Sequence, residues 1–176
     1  MIGGEYTKHY KQTIYYPLWQ HILKYIRQIP GPKILEIGCG AGQLAQFLYD
    51  EGFKDYKGFD IDKEMLEIAK NNSSQDFLLA DIKDKESYPV DYNTVIATEV
   101  LEHLENDLEI FKNIKKGVNF LFSIPSFKCN GHLRWFNSAP EIMNYYFDCL
   151  YIKELKRLKN HNKWFIGWGI TKWIKN

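Results

Sequence analysis

The side chains best suited to chemistry gather in the run Thr98-Glu99-Val100-Leu101-Glu102-His103-Leu104, with a second histidine, His132, in a later loop beside Arg134 and Trp135. Histidine titrates near neutrality, so His103 or His132 can take a proton from a hydroxyl or an amine. Were residues 98–104 to form a helical turn, Glu99, Glu102 and His103 would share a face at i, i+3 and i+4. A second centre lies upstream, in Glu36-Ile37-Gly38-Cys39-Gly40-Ala41-Gly42. Three glycines at alternate positions permit positive φ and let backbone amides approach a ligand with no Cβ in the way. Their spacing is G-x-G-x-G, not the G-x-G-x-x-G that seats a pyrophosphate on a helix N-terminus. A carboxylate two residues before the first glycine would repel a pyrophosphate. It suits a ligand that carries a cationic amine and an adenosine but no phosphates.

The elements that must position these residues are legible from periodicity. Ile34, Leu35 and Ile37 follow the breaker Pro30-Gly31-Pro32 as a short buried strand. Leu44, Phe47 and Leu48 recur at helical spacing up to Gly52, a C-cap glycine. Upstream, Ile14, Leu18, Ile22 and Ile26 repeat every four residues, a helix starting near Pro17. Residues 56–59 form a second strand ending in Asp60-Ile61-Asp62; Asp60 is placed to accept ribose hydroxyls, and Asp62 caps a helix holding Met65, Ile68 and Ala69. Strands at 77–79, 93–97 and 120–124 follow, the first ending in Asp81. Leu104, Leu108 and Phe111 predict an amphipathic helix closing at Gly117, and Ser138 to Glu141 has capping-box spacing before another. The runs 150–158 and 164–173 read as an antiparallel pair joined through 160–163.

The glycine string, Asp60, Asp81 and the EVLEHL segment together resemble the motifs of class I S-adenosylmethionine-dependent methyltransferases, among them enzymes acting on quinone precursors and sugars. The resemblance covers nearly the whole chain. It implies an α/β fold: a Rossmann-like, seven-stranded, mostly parallel sheet with a C-terminal antiparallel strand pair and helices on both faces. It implies one domain over residues 1–176, with 1–30 as a helical cover and 31–176 as the core. The implied cofactor is S-adenosylmethionine, with S-adenosylhomocysteine as product. Glu36, Gly38, Cys39, Gly40, Gly42 and Gln43 would hold it at the glycine turn, Asp60 by the ribose and Ile61 on the adenine face. Asp81 would lie near the adenine amino group, the Ile82 amide on a ring nitrogen, and Thr98 and Glu99 by the methionine part. The N-terminal helix would cover the cofactor, and one of Tyr10, Tyr15, Tyr16 and Trp19 could face its sulfonium. An O, N or S nucleophile would attack the methyl group in line, with His103, Glu102 and His132 on the acceptor side; positioning can be worth roughly 7–11 kcal/mol.

E-x-x-E-H with a downstream histidine also resembles the metal site of small-RNA terminal 2′-O-methyltransferases, where two acids and two histidines hold a divalent ion. The same string occurs in metal-free relatives, and no RNA-binding extension is evident. The expectation is therefore a metal-free site, with His103 as base or acceptor-positioning group. Two further alternatives are an NAD-dependent oxidoreductase, opposed by Glu36 and the glycine spacing, and a catalytically silent S-adenosylmethionine-binding subunit, opposed by the Glu102, His103, His132 and Arg134 cluster.

At 176 residues, 45% hydrophobic and 26% charged, the chain has the composition of a soluble globular domain. No apolar run approaches a membrane span, and Cys39, Cys129 and Cys149 form neither a C-x-x-C pair nor a zinc pattern, which fits a reducing cytoplasm. Cys39 reads as a small filler of the turn. From residue 151 onward seven Lys or Arg face one acid, Glu154, leaving the rest of a chain of net charge +1 acidic. Those lysines, interleaved with Trp164, Phe165 and Trp168, suit the protected edge of a sheet better than a nucleic-acid surface. The acceptor is expected to be a small molecule or a carrier-linked group. Its pocket is built from the N-terminal helix, the 99–103 segment and the 126–137 loop, and stands open unless a second subunit of a homodimer closes it.

Overall fold

The computed structural model describes residues 4–89, 91–158 and 164–172. Seven strands run in the order β3-β2-β1-β4-β5-β7-β6. They are β1 (Ile34–Ile37), β2 (Tyr56–Asp60), β3 (Asp76–Leu79), β4 (Thr94–Ala97), β5 (Asn119–Pro125), β6 (Leu150–Arg157) and β7 (Trp164–Thr171). The first five pair in parallel, while β7 is antiparallel to both β5 and β6. The expected architecture is therefore present, with the topological switch at β1/β4, where chain connections diverge to either side of the sheet.

Side-chain alternation divides the core into two layers. Ile34, Ile96, Leu121 and Ile166 point to a layer filled by α1 (Tyr16–Ile26) and α2 (Gln43–Asp50). Leu35, Ile37, Val95, Ala97, Phe120 and Phe122 point the other way, against a 3-10 segment (Asp107–Lys112) and α4 (Ala139–Tyr145). β1, β4 and β5 are buried on both faces, which is why they read as continuous apolar runs rather than alternating ones. A further helix, α3 (Lys63–Asn72), is capped by Asp62, whose carboxylate accepts from the Glu64 and Met65 amides, as its sequence position predicts.

Three expectations need correction. Ile14 lies before α1 and is 49% exposed, so the fourfold apolar repeat overstates that helix by one residue of its stripe. The amphipathic helix expected from Leu104 onward is two short 3-10 segments, Leu101–His103 and Asp107–Lys112. Arg134 accounts for the break: its guanidinium donates to the carbonyls of Leu101, Leu104 and Glu105, acceptors that an α-helical ladder would need. The capping box at α4 is half formed. Ser138 Oγ accepts from the Glu141 amide, but Glu141 reaches the amide of Asn137 rather than that of Ser138. Trp173 and the 160–163 connection lie outside the described residues.

Candidate active site

At the C-terminal edge of β1, β2 and β4 lies a cleft of about 490 Å³, the expected ligand crevice of an open α/β sheet. Its floor is the glycine turn. Gly38, Cys39, Gly40 and Gln43 line it, and the Gly40 amide donates to Asp60 Oδ2 at 2.8 Å, tying the turn to the tip of β2. The other Asp60 oxygen accepts from the Asp62 amide at 2.9 Å, so this carboxylate is fixed by two backbone groups while still facing the cleft. Ile61 stands 68% exposed on the lining, an apolar plate with no protein partner to justify it. Asp81 and Ile82 line the same end; Asp81 Oδ1 accepts from the Lys83 amide at 2.9 Å, and Tyr88 OH donates to the Ile82 carbonyl at 2.8 Å.

Gly42 differs from its neighbours. It is absent from the lining, and a Cβ there would come within 2.9 Å of the Ala69 backbone at φ +70°. The third glycine of the string serves the packing of α2 on α3 and does not touch the ligand space, which corrects its expected role.

Glu36 lines the cleft at the tip of β1 but is 3% exposed, and Tyr56 OH donates to it at 2.5 Å. Burial pushes its carboxyl up to about 8, and the tyrosine hydrogen bond offsets only part of that. Burial likewise holds the Cys39 thiol far above its usual range, which removes it as a nucleophile and leaves the filler role.

Asp60, Asp62 and Asp81, with the desolvated acids Glu36 and Glu99 behind them, line the cleft against one lysine, Lys83. That balance favours a cationic ligand and disfavours a pyrophosphate, which weighs against the dinucleotide alternative. Tyr6, Tyr15 and Trp19 face the cleft from the N-terminal side. The segment carrying Tyr6 is strapped down by Gln43, whose amide donates to the Glu5 and Lys8 carbonyls at 2.8 and 2.7 Å. Of the aromatics singled out in the sequence, Tyr15 and Trp19 line the cleft, whereas Tyr10 and Tyr16 pack on Phe47. Tyr6, Met65 and Val100 were not legible as lining residues, since nothing in their local pattern marks which way they point.

Glu99 is the one described non-glycine residue with positive φ, +56°. Its amide donates to Ser123 Oγ, and its carboxylate accepts from Ser123 Oγ at 2.8 Å and Trp164 Nε1 at 2.9 Å. Such a backbone costs roughly 1–3 kcal/mol and persists only where the surroundings enforce it. Glu99 is therefore not on a helical turn with Glu102 and His103, and its carboxylate turns toward β5 and β7 instead. Trp164 lies 65 residues away in sequence, so no local signal could have paired them.

His103 lines the mouth of the cleft. Its Nδ1 lies 2.9 Å from the Gly131 carbonyl, which can only accept, so Nδ1 carries the proton and Nε2 keeps its lone pair. Glu102 and His132 do not line the cleft. They stand behind His103, with the His132 ring edge-on to it at 5.1 Å and Glu102 fully buried. The loop is locked in place by the Leu133 amide on the Glu102 carbonyl and by Arg134, which pairs with the buried Asp107 at 3.2 Å. Asp107 also accepts from Tyr145 and Tyr146.

At the far edge of the sheet, Lys153 lies over Trp168 and Lys156 over Tyr25, on the edge strand β6. Trp164 and Phe165 are buried and offer no exposed ring for a base to stack on. Lys159 and Lys163 lie outside the described residues. No helix among the described residues is long and apolar enough to cross a membrane.

A crevice at the switch point of a seven-stranded sheet, with a glycine turn and acids at successive strand tips, is the architecture of a Rossmann-like fold of the class I methyltransferase type. A model of the methyltransferase-domain family matches residues 8–164, and the chain belongs to that family. It is 30% identical over 134 residues to a ubiquinone biosynthesis O-methyltransferase of Photobacterium profundum, an alignment covering 73% of this chain and 53% of that protein. A namesake from Aliivibrio fischeri is 26% identical over 154 residues, 81% of this chain and 62% of its own length. The chain thus spans little more than half the length of these curated relatives. Among solved structures, magnesium protoporphyrin IX methyltransferase from Synechocystis PCC 6803 with bound S-adenosylhomocysteine aligns with a TM-score of 0.69 at 16% identity, over 89% of this chain and 82% of that one. The N-methyltransferase NodS from Bradyrhizobium japonicum WM9 gives 0.66 at 16% identity, over 89% and 86%. At such identities the likeness is one of fold.

Proposed function

We propose that this protein binds S-adenosylmethionine in the cleft and transfers its methyl group to a hydroxyl oxygen of a small-molecule acceptor. The observation that carries the reading is the cleft itself, in which carboxylates at three successive strand tips, Glu36, Asp60 and Asp81, face one space walled by Tyr15 and Trp19. When bound, the cofactor supplies an electrophilic methyl group on a sulfonium. Asp60, already oriented by two amides, accepts the ribose hydroxyls, and Ile61 covers the adenine. Asp60, Asp62 and Asp81 give the cleft its acidic lining, and Tyr15 and Trp19 present ring faces to the cofactor's positive charge. His103 brings its Nε2 lone pair to the mouth, where it takes the acceptor's proton or holds its oxygen in line.

An oxygen acceptor is favoured over nitrogen by the O-methyltransferase names of the curated relatives. Incubation with methyl-labelled S-adenosylmethionine and a panel of phenols, sugars and amines tests this. Label is expected in a hydroxyl-bearing acceptor, with His103→Ala cutting transfer by roughly 10²–10⁴-fold at unchanged cofactor affinity. Transfer to amines alone would overturn the oxygen assignment.

A further inference from the structure

The positive φ of Glu99 falls where the floor of the cleft meets its acceptor end. The residue next to it, Val100, reaches in two directions. Its side chain fills the space beside Gly38 of the glycine turn, where an added Cβ would come within 2.5 Å of a Val100 methyl group. Its carbonyl accepts from the His103 amide at 3.0 Å and so opens the 3-10 turn that carries His103 to the mouth. The conformation of Glu99 therefore sets both the seat of Val100 on the glycine turn and the place of the His103 imidazole.

A glutamate left to itself favours negative φ. The groups that oppose this come from distant strands. The Glu99 amide donates to Ser123 Oγ at 2.9 Å, Ser123 Oγ donates to one carboxyl oxygen, and Trp164 Nε1 donates to the other at 2.9 Å. Ser123 is 0% exposed and Trp164 3% exposed, so both hold fixed places in the core. The Trp164 ring also packs on Tyr15, at 5.9 Å between centroids, and Tyr15 lines the cleft.

We propose that Trp164, acting with Ser123, is a positioning residue for methyl transfer. Through Glu99 it holds the left-handed turn that seats Val100 on Gly38 and presents His103 to the acceptor. Trp164 is not among the residues lining the cleft, so its effect is carried by Glu99. The indole is needed as a donor and not only as bulk, since a phenyl ring fills much of the same space but has no N–H. Without that donor Glu99 relaxes toward negative φ, Val100 leaves Gly38, and His103 Nδ1 loses its fixed approach to the Gly131 carbonyl. A misplacement on the order of 1 Å can cost about 10²-fold in rate. The role in transfer rests on the S-adenosylmethionine reading of the cleft; the hold on His103 does not.

The test compares Trp164→Phe, Glu99→Gly and the double variant with the unaltered full chain. Glycine adopts positive φ without being held, so the double variant should recover what Trp164→Phe loses. A tryptophan that merely fills space would leave the double variant as impaired as the single one. In the ligand-free protein, nitrogen resonances of isotope-labelled histidine, assigned with His103→Ala, report the His103 tautomer at about pH 8.5, where an ordinary imidazole is neutral. The unaltered chain should show one Nδ1–H form, Trp164→Phe a mixture, and the double variant one form again. Calorimetry should show S-adenosylhomocysteine bound roughly tenfold more weakly by Trp164→Phe, with affinity restored in the double variant. Should Trp164→Phe fail to fold, Ser123→Ala removes the other half of the hold and is read in the same way. An unchanged His103 tautomer in Trp164→Phe, or a double variant that recovers nothing, would overturn the proposal. Absence of S-adenosylhomocysteine binding in the unaltered chain would instead overturn the reading of the cleft, and the nitrogen spectra would still decide whether Trp164 holds His103.

Discussion

Glu36 sits at the tip of β1 with its carboxyl inside the fold, and its burial makes the protein's stability depend on pH. An acid whose folded-state value is raised from 4.5 to about 8 keeps its proton in the folded chain while the unfolded chain releases it. Its contribution is intact below about pH 4.5 and is lost as pH rises toward 8, at up to roughly 1 kcal/mol per pH unit. Burial raises Glu102 in the same direction, so two groups share the slope. Thermal unfolding between pH 5 and 8 should show stability falling with pH, and Glu36→Gln should flatten the profile in part; an unchanged slope would contradict this. At the glycine turn two substitutions should separate packing from binding. Gly42→Ala meets the Ala69 backbone at positive φ and should cost about 1–3 kcal/mol of stability. Gly40→Ala meets nothing within 4 Å and should cost about 1 kcal/mol through φ alone, yet its methyl would enter the cleft and weaken cofactor binding. Denaturant titrations beside ligand titrations distinguish the two. The types and spacing of Glu36, Asp60 and Asp81 were legible in the sequence because strand tips follow from short apolar runs. That Gly42 faces a helix and Glu36 is sealed by Tyr56 was not, because both depend on which way a neighbouring element packs.

The acceptor wall is made of elements that no periodicity describes. Residues 101–105 and 131–134 are bound to one another through Arg134, the Leu133 amide and the His103 imidazole. Arg134→Leu would leave Asp107 buried without its cation and three carbonyls unpaired. It should destabilise the fold by about 3–5 kcal/mol, measured by chemical denaturation. A change under about 1 kcal/mol would show that the pair does not hold the wall. The helix expected over this stretch failed for the same reason: a side chain from a distant loop takes the carbonyls that the pattern assigned to a helical ladder. By contrast α1, α2 and α3 follow their apolar stripes, and α3 has the Asp62 cap its sequence predicts, because those signals lie within each segment.

At the scale of the whole molecule, the sheet follows from consistency among local signals. Five short apolar runs, the first three separated by helical segments, point to parallel crossovers, and two long terminal runs without a helix between them point to the antiparallel pair. Pairing β7 between β5 and β6 buries Trp164 where its indole reaches Glu99, so the last element of the sheet completes the site begun by the first. That closure depends on sheet order and was beyond the reach of the sequence. The central claim is that the cleft takes S-adenosylmethionine, and calorimetric titration of the purified chain with S-adenosylmethionine, S-adenosylhomocysteine and NADH tests it most directly. The expected result is one site of roughly micromolar affinity for the two adenosyl compounds, none for NADH, and a loss of about 1–3 kcal/mol in Asp60→Ala. Binding of NADH in place of S-adenosylmethionine, or Asp60→Ala binding as tightly as the unaltered chain, would contradict it.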